Sequence, residues 1–157
     1  MNNSLMPIFL LLLIIFLPLS LYGQDHKGRK PSSTKDAGEV QAPVYPSMAE
    51  PGKRVAIGPG RYMIYGFDKQ PKMGTVIMKV QIYTLDGKKD TSMEVVADSG
   101  MPSMRGAHET GERPFSLSKK GDFLLPINIV MPGDWEIRLS IKKDGKVIFR
   151  GRYNFDV

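Results

Sequence analysis

From residue 61 to the end, apolar and polar positions alternate. That two-residue period belongs to strands with one face buried and the other wet. Residues 61–67 predict a short aromatic-rich strand. Residues 75–84 predict a longer one, with Val76, Met78, Val80 and Ile82 on one side and Lys79 and Gln81 on the other. Further inner rows run through Phe123, Leu125, Ile127, Ile129 and Met131, then Trp135, Ile137, Leu139 and Ile141, then Val147, Phe149, Tyr153 and Phe155. No amphipathic helix longer than a turn is evident. About seven short strands with regularly spaced turns predict an all-β, antiparallel β-sandwich.

Two Asp-Gly pairs mark hairpins. A two-residue turn at Asp86 and Gly87 would pair Val80 with Met93 and Met78 with Val95, keeping both inner faces in register. At Asp144 and Gly145 a two-residue turn would set Leu139 opposite Arg150 and mix the faces. A three-residue loop with Gly145 in the left-handed position sets Leu139 opposite Phe149 and Ile141 opposite Val147, so face parity predicts that loop. It also places Glu136 opposite Arg152 and Arg138 opposite Arg150, the second a repulsive pair.

The region before these strands divides in two. Residues 5–22 are apolar apart from Pro7, Pro18 and Ser20. They predict a signal peptide over residues 1–23, cleaved after Gly23, with an uncleaved membrane anchor as the alternative. Residues 24–53, rich in Pro, Gly, Ser, Lys and Glu, show no apolar periodicity and predict a flexible tether. The sandwich is expected over residues 54–157. The 157-residue chain has a net charge of +6 and no cysteine. This excludes thiol catalysis, thiolate metal sites and disulfides. The plainest reading of this basic balance is a solvated surface; as a binding signal on an exported chain it points to anionic lipid, envelope polymer or an acidic partner rather than to nucleic acid.

One segment departs from the strand pattern. Residues 99–109 hold three Gly or Pro breakers, Met101, Met104 and His108. Thioether sulfur is a soft ligand suited to Cu(I), and imidazole serves copper in either oxidation state. Methionine, unlike cysteine, is not lost to disulfides in an oxidising compartment. If the loop curls at Gly106, His108 joins the two sulfurs, and Met131, beside Pro132 and Gly133, can supply a fourth group. The competing reading is packing: Met101 and Met104 cap the open end of the sandwich, and Met131, with inward parity, fills the core. Arg105 sets a positive charge beside the loop, which disfavours Cu(II) more than Cu(I).

The order of these features resembles the YtkA-like/FixH-like family of exported or membrane-tethered domains. The matching elements are Gly74 at the entry to a long strand; Leu85, Asp86 and Gly87; Met101, Pro102 and Met104 with His108; Gly121, Asp122 and Phe123; Met131, Pro132, Gly133, Asp134 and Trp135; and the terminal Phe155 and Val157. The resemblance covers residues 61–157. It implies an immunoglobulin-like sandwich outside the cytoplasm, linked to copper handling or to assembly of copper-containing respiratory oxidases. The family's ligands would fall on Met101, Met104, His108 and Met131, with a membrane respiratory complex or metal-trafficking protein as partner. The alternative is a metal-free module docking on a membrane complex or anionic envelope component through Arg138, Arg150 and Arg152. Membrane contact would then come only from an uncleaved N-terminal segment or this basic face. An enzyme is not expected: the chain has two histidines, no cysteine, and no nucleophile and base in recognisable context.

Overall fold

The structure, a computed structural model, describes residues 42–157. The signal-peptide reading of residues 1–23 and the tether reading up to residue 41 lie outside the described residues. The strands are β1 (Arg54–Ala56), β2 (Arg61–Phe67), β3 (Gly74–Thr84), β4 (Glu94–Gly100), β5 (Arg113–Pro114), β6 (Ser116–Leu117), β7 (Phe123–Ile129), β8 (Asp134–Lys143) and β9 (Lys146–Asp156). They form two antiparallel sheets, ordered β1-β2-β3-β7-β6 and β5-β4-β8-β9. The protein is an all-β sandwich, and β1, β5 and β6, each of three residues or fewer, account for the strands beyond the long ones that alternation marks.

The inner rows are those of the alternation. Val76, Met78, Val80 and Ile82 of β3 and Leu125, Ile127 and Ile129 of β7 meet Val95 and Ala97 of β4 and Ile137, Leu139 and Ile141 of β8 in one buried cluster. Each fully buried Val, Leu or Ile contributes about 1.5–3 kcal/mol over leaving it in water, so this layer is the main stabilising term.

Both hairpins differ from the parity reading, and in opposite senses. At the first, the Thr84 N–H donates to Lys88 O at 2.9 Å and Gly87 has φ 80°, so the loop is the three residues 85–87. Pairing ends soon afterwards, at Tyr83 with Lys89. β3 lies between β2 and β7, and β4 belongs to the other sheet. Met93 and Val95 therefore reach the core from the opposite side and do not pair with Val80 and Met78. Inner parity is kept because both sheets face the same core, which is why parity alone could not tell the two arrangements apart.

At the second hairpin Lys143 pairs with Lys146 around Asp144 (φ 50°) and Gly145 (φ 74°), a two-residue turn with both central residues left-handed. The extra residue sits farther along, where Lys142 pairs with Val147 but Ile141 with Phe149. Ile148 is thus the bulged residue. Leu139 consequently lies opposite Gly151, Arg138 opposite Arg152, and Glu136 opposite Asn154. Val147 is exposed, while Phe149, Tyr153 and Phe155 pack on the core.

The sandwich also engages the chain earlier than residue 54, against the tether reading of residues 46–53. Met48 N–H donates to Arg152 O and Arg152 N–H to Pro46 O, each at 2.8 Å. The Tyr65 hydroxyl donates to Ala49 O at 2.5 Å. The physical reason is the edge of β9, whose unpaired backbone groups accept another stretch of chain whatever its composition. Gly151 makes the close approach possible: a Cβ there would stand 2.5 Å from Met48 Cγ.

Where the chain leaves the first sheet, Asp90 accepts hydrogen bonds from Ser92 N–H (3.0 Å) and Oγ (2.6 Å) and from Arg61 Nε (2.7 Å). These bonds, Ser92's first and Arg61's next, hold its carboxyl at about 2. A depressed carboxyl stabilises the fold above its unfolded value near 3.9 and loses that contribution as pH falls through about 2. Asp90→Asn is expected to cost about 2 kcal/mol at pH 7. In urea melts the gap to the parent protein should close between pH 4 and 2; a gap that does not change with pH would contradict the assignment.

Candidate metal centre

The irregular segment begins where β4 ends. Met101 is extended (φ −106°, ψ 117°) and Pro102, with its fixed φ, opens a single 3-10 turn, Pro102–Met104. Met104 N–H donates to Met101 O at 3.0 Å and Ala107 N–H to Met104 O at 3.1 Å, so two tight turns follow one another. Gly106, at φ 83°, supplies the left-handed residue that bends the second. The ends are then fastened together: Thr110 N–H donates to Ser99 O at 3.0 Å, and Ser99 N–H to Thr110 Oγ1 at 3.1 Å. Gly100 lets the returning chain come close: a Cβ there would meet Glu109 Cγ at 3.1 Å and His108 O at 3.3 Å. The loop does curl at Gly106, and residues 99–110 close into a compact unit.

Two further contacts seat this loop on β8. The Asp134 carboxylate accepts from Ser103 N–H at 2.9 Å and from Ser103 Oγ. The hydroxyl bond holds the Asp134 carboxyl below its usual range. Met101 is 4% exposed and belongs to the core. Its methyl lies 2.8 Å from where a Cβ on Gly133 would stand. Met131 is half-buried against the same core, and its carbonyl accepts from Trp135 Nε1 at 3.1 Å. Gly133 and Val157 exchange backbone hydrogen bonds of 2.8 and 3.0 Å, which fixes the 131–133 turn to the last strand.

The four candidate ligands thus fall into two pairs. Met101 and the turn that carries Met131 touch each other and are part of the packing, as the capping reading has it for Met101 and inward parity for Met131. Met104, 40% exposed, and His108, half-buried, stand on the closed loop within solvent's reach. Among the described residues no group of three or more His, Asp or Glu is placed to hold a metal.

The charges around the loop are largely met from within the chain. Glu136, 5% exposed, accepts from Arg105 Nη2 at 3.0 Å, with Arg152 Nη1 at 3.7 Å and Arg138 Nε at 3.8 Å. Arg105 also lies 3.6 Å from Glu109. Arg138 donates to Glu109 at 2.8 Å and to Asp98. Burial opposes the Arg138 charge, but Asp98 and Glu109 outweigh it and push its pKa up. The positive charge of Arg105 beside the loop is therefore offset by two carboxylates. Sequence parity missed both Glu136 and the Asp134–Ser103 clamp. The outward-facing position of Glu136 gave no sign of burial, and the clamp joins residues 31 apart in the chain.

No protein-family model matches the chain, and no curated protein does. Among solved structures, FetP from a uropathogenic Escherichia coli strain is similar over 68% of this chain and 93% of its own, at 14% identity and a TM-score of 0.46. A copper-bound variant of the same protein is similar over 71% of this chain and 95% of its own, also at 14% identity and a TM-score of 0.46. The soluble domain of PmoD from Methylocystis sp. is similar over 66% of this chain and 96% of its own, at 13% identity and a TM-score of 0.44.

Proposed function

We propose that the protein is an extracytoplasmic copper-handling domain, not an enzyme, and that it holds Cu(I) at the closed loop of residues 99–110. The observation that carries this reading is the closure of the loop. Its two turns keep Met104 and His108 on one small, fastened unit in which Met101 packs against the turn bearing Met131. Met104 and His108, open to solvent, would take an arriving ion, and Met101 and Met131 would supply thioethers from the apolar side. Thioethers need no deprotonation and prefer Cu(I) to harder ions. The extracytoplasmic setting rests on the apolar run of residues 5–22. A membrane respiratory complex or metal-trafficking protein as recipient follows from the resemblance to the YtkA-like/FixH-like family.

The test is competition of the apo-protein against a colorimetric Cu(I) chelator. The Met104→Ala, His108→Ala double variant should bind Cu(I) at least about 100-fold more weakly, a loss of roughly 2.7 kcal/mol, with an unchanged melting temperature because neither side chain is core. Met101→Leu, which keeps the packing volume, should weaken binding about tenfold. Affinities equal to the parent's in both variants would remove the site.

The outer-face arginines lose part of their motivation as a docking row. Arg138 faces Arg152 rather than Arg150, and Asp98, Glu109 and Glu136 surround it.

A further inference from the structure

The outer face of the first sheet has a composition unlike that of a face turned only to water, where polar residues alternate with the buried row. Across β3 and β7, Ile77 pairs with Pro126, and Leu124 with Lys79. Across β2 and β3, Ile64 lies opposite Gln81, and the Tyr62 and Tyr83 rings stack with centroids 5.3 Å apart. Beyond the Gly74–Ile129 pair, Met73 and Val130 are 57% and 51% exposed. Between the two apolar islands stands the pair of exposed Lys79 with Gly66. A Cβ on Gly66 would meet nothing within 4 Å, so the middle of the face is open.

Charge divides the two sheets. Around β4 and β8, Asp98, Glu109 and Glu136 answer Arg105 and Arg138, and Glu94 and Glu112 answer Lys142. On the first sheet, Arg54 and Lys79 have no ion pair among the described residues, nor do Lys69 and Lys72 in the connection from β2 to β3. The Arg54 guanidinium lies 4.6 Å from the centre of the Tyr62 ring, which holds a cation over the face. The carboxylates that reach this face are already engaged. Asp122 accepts from Lys89 Nζ at 2.5 Å and from Gln81 Nε2 at 2.8 Å, and Asp68 from the Ile77 N–H at 2.7 Å.

We infer that the outer face of the first sheet docks on an anionic bilayer surface. An open sheet face suits a broad partner rather than a small ligand. Tyrosine, lysine and arginine join an apolar body or stem to a polar tip, the build that suits headgroup depth. The apolar islands would meet the acyl boundary while Lys79 and Arg54 meet lipid phosphates. Each basic residue near such a surface strengthens binding about fivefold. A second copy of the chain fits less well, because it would set Lys79 and Arg54 against a face of the same charge. This face is distinct from the arginine row of β8 and β9, and the inference does not depend on copper.

The chain has no cysteine, so a nitroxide label can be placed at one introduced residue of the full chain. Asn128→Cys puts it on β7 beside Thr75, and Asn154→Cys on β9 of the other sheet; both positions are exposed. An N-terminal anchor would act on both labels, so the difference between them reports the face. On vesicles of phosphatidylcholine with phosphatidylglycerol, the label at 128 should lose access to an aqueous nickel chelate by at least about fivefold, and the label at 154 by less than about twofold. Lys79→Glu should abolish the protection at 128, whereas Lys146→Glu, the same charge change at the β8–β9 turn, should leave it. Unchanged circular dichroism in Lys79→Glu shows that the fold is intact. Equal protection at 128 and 154, equal protection on phosphatidylcholine alone, or none at 128 would overturn the inference. Protection at 128 without vesicles would assign the face to a second copy instead.

Discussion

Trp135→Ala should destabilise the sandwich by about 3–5 kcal/mol, as expected for removing a large aromatic side chain from a packed core. Trp135 is among the most deeply buried side chains and stands at the start of β8. Its indole N–H is also the donor to Met131 O, so truncation empties a core volume and frees the turn at the same time. Against a whole-domain stability of roughly 5–15 kcal/mol, a loss of this size leaves a measurable unfolded fraction. Trp135→Phe separates the two contributions: it keeps most of the ring and loses the hydrogen bond, worth about 1 kcal/mol. Urea unfolding of both variants checks the claim. Equal losses would mean that the bond to Met131, and not the ring, carries the effect.

Gly133→Ala is expected to cost about 2–4 kcal/mol, from two sources that can be told apart. Gly133 has φ 132°, a conformation that L side chains rarely adopt, and holding alanine there costs about 1–3 kcal/mol. The new methyl would also meet Met101 Cε at 2.8 Å. That atom is the end of a flexible chain and can move, so backbone strain is the larger part. Adding Met101→Leu to Gly133→Ala should recover only the contact part, under about 1.5 kcal/mol. The displacement of Met101 should lower Cu(I) affinity even where the protein remains folded. Chemical denaturation of the three variants, with Cu(I) competition on the same samples, measures both consequences.

How far the sequence could be read depended on what each pattern constrains. Alternation constrains which face a residue lies on, so the inner rows of β3, β7 and β8 were legible residue by residue. It does not constrain which sheet a strand joins. Met93 and Val95 were placed inward correctly and paired wrongly, because a core has two walls and parity is the same from either. Nor does it locate the extra residue of a hairpin. One residue inserted anywhere between Leu139 and Gly151 restores the faces, and the chain places it at Ile148, leaving Asp144 and Gly145 to make a tight turn. The early docking of residues 46–48 was hidden for another reason: it is made by backbone groups on the β9 edge, which composition does not report.

At the candidate site, the breakers of residues 99–109 marked the loop, and Gly106 marked its bend. The division of its methionines was not legible. Met101 is carried inward at the end of β4 and Met104 is turned outward by the 3-10 turn, although only Pro102 and Ser103 separate them. The glutamate that gathers three guanidiniums, Glu136, sits at an outward position that parity assigns to solvent. Its burial follows from tertiary charge pairing with Arg105, Arg138 and Arg152.

The most direct test of the copper reading is X-ray absorption at the copper edge of the Cu(I)-loaded protein. Sulfur and imidazole nitrogen should share the first shell, and the sulfur contribution should fall in Met104→Ala. A first shell of nitrogen and oxygen alone, unchanged by that substitution, would contradict a methionine site at the closed loop.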